Sequence, residues 1–210
     1  MNAQGASIPS SETLAEAALH TDISLLEIDE ANCTVRISDP DASIDVGALG
    51  KGYATEKAAE ALRAMGAESY VLNVGGNIRI IGTKPDGGKW LTGIKDPADP
   101  DASYALYLNL ANTSCVTSGS YERFFTVGGT RYHHIIDKDT GMPATYFPSV
   151  TIIAESSALA DALSTALFCM PLEDGLALIA SIPNAEALWI LSDGSQHMSD
   201  GLQQYVTEPK

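Results

Sequence analysis

Basic residues are scarce in this sequence: 12 Lys and Arg stand against 27 Asp and Glu, for a formal charge of −15. A phosphate backbone is held by clustered cations, so nucleic acid is excluded as a partner. An anionic nucleotide stays open if helix N-termini, a few lysines or a divalent cation supply the positive charge. Cysteine is sparse too. Cys33, Cys115 and Cys169 are odd in number and widely spaced, which excludes a disulfide framework and a CxxC pair; they read as buried thiols. No run approaches the roughly 18 apolar residues of a membrane span. Residues 1–7 are polar and small, without the charged and apolar regions of an export signal. The chain reads as soluble. Internal repeats and low-complexity linkers are also missing.

What is present is a globular balance. The 210 residues are 45% hydrophobic and 19% charged, enough for one substantial domain. Residues 1–10 read as a disordered lead-in and 11–210 as the domain. Residues 11–20 predict a short helix capped by Ser11, and 23–28 with 33–37 a hairpin around Asp-Glu-Ala-Asn. A Gly-rich turn over 44–52 leads into a helix over 53–65 that Gly66 closes. Strands are predicted over 69–73, 78–81, 90–94, 103–108, 114–117, 132–136 and 150–154. Helices over 157–170 and 173–181 follow, separated by Pro171, then a hairpin of 187–191 with 196–198. Strands dominate and helices come as single excursions, which predicts an α+β fold with largely antiparallel sheets.

Five segments carry candidate chemistry. In Asp45-Val-Gly-Ala-Leu-Gly-Lys51-Gly52-Tyr53, glycines at 47, 50 and 52 allow backbone to approach a ligand, and Lys51 stands at a helix start; a phosphate or pyrophosphate would fit. It is not a Walker loop, and a plain strand-to-helix turn accounts for it equally. Asn73-Val-Gly-Gly-Asn77 reads as a bulge or chain crossing. In Thr117-Ser-Gly-Ser-Tyr-Glu-Arg123, hydroxyls after a strand suit a nucleotide and Arg123 an anion, although turn chemistry explains the Ser-Gly part as well. Within Arg131-Tyr-His-His-Ile-Ile-Asp137, adjacent histidines of a strand point to opposite faces, so the pair does not share a metal. One of them in a cleft would suit general-base work on a hydroxyl. In the helix over 157–170, Leu159, Leu163 and Leu167 mark the packed stripe. Asp161, Ser164 and Thr165 meet on another face at i, i+3 and i+4. One carboxylate with two hydroxyls is hard oxygen ligation suited to Mg²⁺, and a solvated helix face is the plain alternative.

In order and identity, these motifs from Asp45 to Leu167 closely resemble the ApbE flavin transferases. The resemblance implies a T-fold-like α+β architecture and Mg²⁺-dependent transfer of FMN from FAD, the substrate, to a threonine of an acceptor flavoprotein, releasing AMP. It places Asp45, Lys51, Thr117, Ser118 and Ile136 at the flavin nucleotide. It places the Ala48 carbonyl, Asp161, Ser164 and Thr165 at the metal, and His134 as the base that activates the threonine. The acceptors associated with the family carry Asp-Gly-x-Ser/Thr-Gly-Ala-Thr and belong to respiratory or redox flavoproteins. Relatives act in the periplasm or cell envelope, attached to a membrane through the acceptor or a lipid anchor; a cytoplasmic location is the alternative. Family members carry a further N-terminal part that contributes to the flavin pocket. Two other readings share the motifs: an FAD pyrophosphatase that uses water as acceptor, and a flavin-binding module without turnover.

Overall fold

The computed structural model describes residues 7–101 and 103–209. Where the sequence reads as one domain, the chain groups into two compact units. The first takes the chain up to Val46 together with Arg123–Pro143, and the second Gly47–Glu122 with Ala144 onward.

The first unit holds helix α1 (Ser11–Ala18) and the antiparallel hairpin of β1 (Leu26–Asp29) with β2 (Thr34–Ile37). Of the expected lead-in, residues 1–6 lie outside the described residues, and Ser10 rather than Ser11 caps α1, its Oγ accepting the Thr13 N–H at 3.1 Å. Cys33 is exposed at the hairpin turn with φ 53°, so the expectation of three buried thiols fails there. A reversing chain needs that left-handed residue at the surface. In Arg123–Pro143 a strand that sequence reading missed, β8 (Phe124–Val127), pairs with β9 (Thr130–His133) across Gly128-Gly129. Both glycines have positive φ, as a type I′ turn requires. The pair is pinned by Phe125 stacked on Tyr132, with ring centroids 5.5 Å apart.

The second unit is layered. Its strands are β3 (Tyr70–Val74), β4 (Asn77–Ile81), β5 (Trp90–Lys95), β6 (Tyr104–Leu110), β7 (Ser114–Gly119), β10 (Ser149–Ala154), β11 (Glu186–Ile190), β12 (Gln196–Met198) and β13 (Val206–Thr207). Its helices are α2 (Gly50–Ala64), α3 (Ser157–Phe168) and α4 (Leu172–Ala180). A six-stranded sheet runs β12-β11-β10-β7-β4-β3 and a three-stranded sheet β13-β6-β5, with every pairing antiparallel, in keeping with the α+β expectation. The Asn73–Asn77 segment is the type I′ turn of a hairpin, with Gly75 and Gly76 both at positive φ, and not a bulge.

Side chains alternate across a strand, and the six-stranded sheet uses both faces. Ile80, Cys115, Ile153, Leu188 and Ile190 face Ile94, Leu108 and Leu110 of the three-stranded sheet and form one buried cluster. Each such aliphatic residue contributes roughly 1.5–3 kcal/mol on full burial, so this layer anchors the unit. Burial pushes the Cys115 thiol up to about 12. The opposite face carries Arg79 and Ser118 against α2 and α3.

Candidate functional site

Helix α2 starts at Gly50, three residues before the sequence pattern places it, because the turn at 47–49 already supplies acceptors: the Tyr53 N–H bonds the Leu49 carbonyl at 2.9 Å. Lys51 is therefore in the first helical turn. Helix α3 is capped by Ser156 and lies almost wholly inside the unit, with Ala160, Asp161, Leu163, Ser164, Leu167 and Phe168 all buried. The expected leucine stripe is only partly right: Leu159 is 40% exposed. Leu163 and Leu167 are packed as expected, and the buried face also takes in Asp161 and Ser164, two of the residues read as metal ligands.

At the contact of α2 with α3, the Gly52 N–H donates to Asp161 Oδ2 at 2.7 Å, and Lys51 Nζ stands 3.6 Å from Oδ1. The Asp161 side chain is 4% exposed and that of Lys51 40%. A carboxylate this buried is retained only with partners. It has an amide on one oxygen and, on the other, a cation beyond hydrogen-bond length. Lys51 also donates to the Gly47 carbonyl at 3.4 Å.

Gly52 has no room for a side chain: a Cβ there would lie 2.3 Å from the Ser157 carbonyl oxygen and 2.5 Å from Asp161 Cβ. The sequence reading gave this glycine to a ligand; the structure gives it to α3.

Hydroxyls gather one turn further along α3. Ser164 donates to the Asp161 carbonyl at 2.9 Å and lies 2.8 Å from Ser118 Oγ. Since its proton is already committed, Ser118 must be the donor of that second bond. Thr165 Oγ1 is 3.4 Å from Ser118 Oγ. Thr117, the neighbour of Ser118, turns to the other face of the sheet and bonds Thr151, its cross-strand partner, at 2.8 Å. Lys51, Asp161, Ser164, Thr165 and Ser118 thus come together in the second unit, and Thr117 does not join them. Ala48 lies in the exposed turn just before α2.

The donor set fits a hard divalent cation. A buried carboxylate and adjacent hydroxyls offer oxygen only, with no thiol or imidazole among them, which matches Mg²⁺ more than a softer metal.

Asp45, His134 and Ile136 belong to the first unit. The strand carrying the histidines ends at His133, so the pair does not alternate as strand neighbours would. His133 is buried and His134, just past the end, is exposed. His134 is fixed by Arg123, whose carbonyl accepts from its backbone N–H and lies 3.2 Å from Nδ1. A carbonyl can only accept, so Nδ1 carries the proton and Nε2 keeps its lone pair. His133, His134 and Ile136 line a depression of about 370 Å³ with Phe124, Phe125 and Tyr132. Ile136 is half exposed and bridges Pro143.

Comparison with known proteins follows the same outline. A sequence model of the ApbE family matches residues 1–189. An FAD:protein FMN transferase of Treponema pallidum is 36% identical over 215 residues, covering 96% of this chain and 59% of the relative. One from Klebsiella pneumoniae is 33% identical over 164 residues, covering 78% and 50%. The crystal structure of an ApbE protein from Thermotoga maritima superposes with a TM-score of 0.88 at 38% identity, over 99% of this chain and 67% of that one. The flavin transferase ApbE from Vibrio cholerae gives 0.83 at 29%, over 97% and 65%. The chain therefore spans between half and two thirds of the length of these relatives.

Proposed function

The chain belongs to the ApbE family, and from that premise we propose that it carries the catalytic portion of an Mg²⁺-dependent flavin transferase, moving FMN from FAD onto a threonine of an acceptor flavoprotein. The observation that carries the reading is Asp161, a buried carboxylate bonded to the Gly52 amide beside Lys51 and followed on α3 by two hydroxyl residues. Structural packing alone would place an apolar residue at such a position.

On this reading Asp161 and Thr165, with Ser164 and the Ala48 carbonyl, hold Mg²⁺, which when bound neutralises charge on the FAD pyrophosphate. Lys51 binds a phosphate oxygen at the start of α2, where helix N–H groups add to its charge. Asp45 and Ile136 contact the flavin nucleotide, and Ser118 holds the Ser164 hydroxyl in place. His134 Nε2 accepts the proton of the acceptor threonine as its oxygen attacks the FMN phosphorus. The bond from that phosphorus to the bridging oxygen breaks, and AMP leaves in line. The Arg123 carbonyl, bonded to the Nδ1–H, stabilises the imidazolium so formed.

The test is incubation of the chain with FAD, Mg²⁺ and a peptide carrying the acceptor motif, followed by mass spectrometry. Transfer predicts peptide heavier by FMN, with AMP released. FMN and AMP without labelled peptide would mean hydrolysis, and intact bound FAD a module without turnover.

A further inference from the structure

Two residues that the reaction does not use, Glu56 and Arg79, lie next to the α2–α3 contact. Glu56 is one helical turn beyond Gly52 on α2, and Ser157 one turn before Asp161 on α3. Glu56 Oε2 accepts the Ser157 N–H at 2.6 Å, while Asp161 Oδ2 accepts the Gly52 N–H at 2.7 Å. Each helix thus satisfies a first-turn N–H of the other with its own carboxylate, groups that a helix start otherwise leaves without an intrahelical partner. The two bonds form a reciprocal clamp with Gly52 packed in its middle.

One half of this clamp is anchored to the sheet. Arg79, its side chain 2% exposed, donates through Nη2 to Glu56 Oε1 at 3.2 Å and brings Nε within 3.2 Å of Oε2. Asn77, two residues earlier on the same face of β4, accepts the Ser157 hydroxyl. Strand β4 therefore holds the carboxylate of Glu56 and the first residue of α3 together. A buried ion pair returns little net stability against a hydrophobic substitute, so the arrangement delivers position.

Resting on the metal-site reading of Asp161, we infer that Glu56, held by Arg79, is a positioning residue: it fixes the start of α3 against α2 and thereby sets the distance from Asp161 to Gly52 and Lys51. Glu56 is outside the proposed ligand set and acts through Ser157 at the start of α3.

The experiment compares Glu56→Gln and the double variant Glu56→Leu/Arg79→Leu with the parent chain and Asp161→Asn. The double variant removes both charges at once, so no unpaired ion is left buried. Binding of Mn²⁺, as a probe for Mg²⁺, is read by electron paramagnetic resonance without FAD. Amide exchange at Gly52 is read by NMR against Ile152 in the core of β10. Loss of positioning predicts Mn²⁺ binding weaker by roughly 10- to 100-fold, the range seen when groups supporting metal ligands are removed. It also predicts Gly52 exchange faster by about tenfold or more with Ile152 unchanged. A pair that merely stabilises the fold would speed both amides together and leave Mn²⁺ affinity intact in folded protein, which overturns the inference. If the double variant does not fold, the same two readouts on Glu56→Gln decide. Mn²⁺ binding that survives Asp161→Asn would refute the metal-site reading instead, and the Gly52 amide then judges the clamp alone.

Discussion

Replacing Gly52 by alanine is the sharpest test of how the site is built. In an exposed helix the change should stabilise by about 1 kcal/mol, because glycine loses more backbone freedom on folding. Here the added Cβ would sit 2.3 Å from the Ser157 carbonyl oxygen and 2.5 Å from Asp161 Cβ. Nonbonded heavy atoms settle near roughly 3.5 Å, so α2 and α3 must part by about 1 Å. Overpacking of this kind costs about 1–3 kcal/mol. The same movement stretches the 2.7 Å bond from the Gly52 N–H to Asp161, a bond to a charged group worth about 1.5–3 kcal/mol. After the gain in propensity, a net loss of about 1.5–5 kcal/mol remains. Urea denaturation monitored by circular dichroism measures it, with Ala58→Gly on the exposed side of α2 as the control for propensity, expected to cost about 1 kcal/mol. FMN transfer should fall along with stability. A Gly52→Ala protein as stable as the parent, or more so, would refute the tight helix contact and the placement of Asp161 that depends on it.

Other predictions follow from the same geometry. Asp161→Ala should abolish Mg²⁺-dependent FAD cleavage, checked by chromatography of AMP; unchanged cleavage would remove Asp161 from the site. His134→Ala should slow transfer by roughly 10²- to 10⁴-fold while FAD binding, followed by flavin fluorescence, stays near the parent value. The bond of His20 Nδ1 to Asp39 at 2.6 Å raises the histidine pKa above 6.5 and lowers that of Asp39 below 3.8. The raised histidine stabilises most below 6.5 and the depressed carboxylate most above 3.8, so their joint contribution is full between those values. It fades as pH rises through the folded histidine pKa or falls through the folded Asp39 pKa; amide protection in α1, corrected for intrinsic exchange, across pH 3–9 checks this, and protection that does not change with pH would refute it. Cys33, exposed, should react with an aromatic disulfide reagent at once, whereas Cys115, its thiol pushed up to about 12 by burial, should react only after unfolding.

The strands were legible because their apolar runs are short and bounded by turn residues, but the Gly-Gly hairpins were not: Asn73–Asn77 reads equally as a bulge, and only its pairing partner shows Gly128-Gly129 to be a turn. Strand β8 was missed: Phe-Phe-Thr-Val gives no alternation of its own and becomes a strand through its pairing with β9. The helix of Asp161 was found, but only part of its buried face was, Leu163 and Leu167. Leucine spacing points to Leu159, and only the tertiary partners Gly52 and Ser118 explain why a carboxylate and a serine are inside while that leucine is outside. Thr117 and Ser118 look equivalent in sequence; the strand alternation that separates them needs to know which face α3 covers. The histidine pair was read as a strand throughout, whereas β9 ends between the two. The division into two units left no mark in composition, since Arg123–Pro143 joins the first only through contacts distant in sequence.

The bond between Gly52 and Asp161 spans 109 positions of the chain. A growing chain emerges from the ribosome N-terminus first, at about 5–20 residues per second. The Gly-rich turn and α2 are therefore made several seconds before the carboxylate that completes them. During that interval β7 also waits for β10, its other neighbour in the central sheet, and closing such long loops is the slow part of folding. Lys51 has no Asp161 to face until α3 has been synthesised and docked, so the candidate site forms late, and a chain stopped before α3 carries it unfinished.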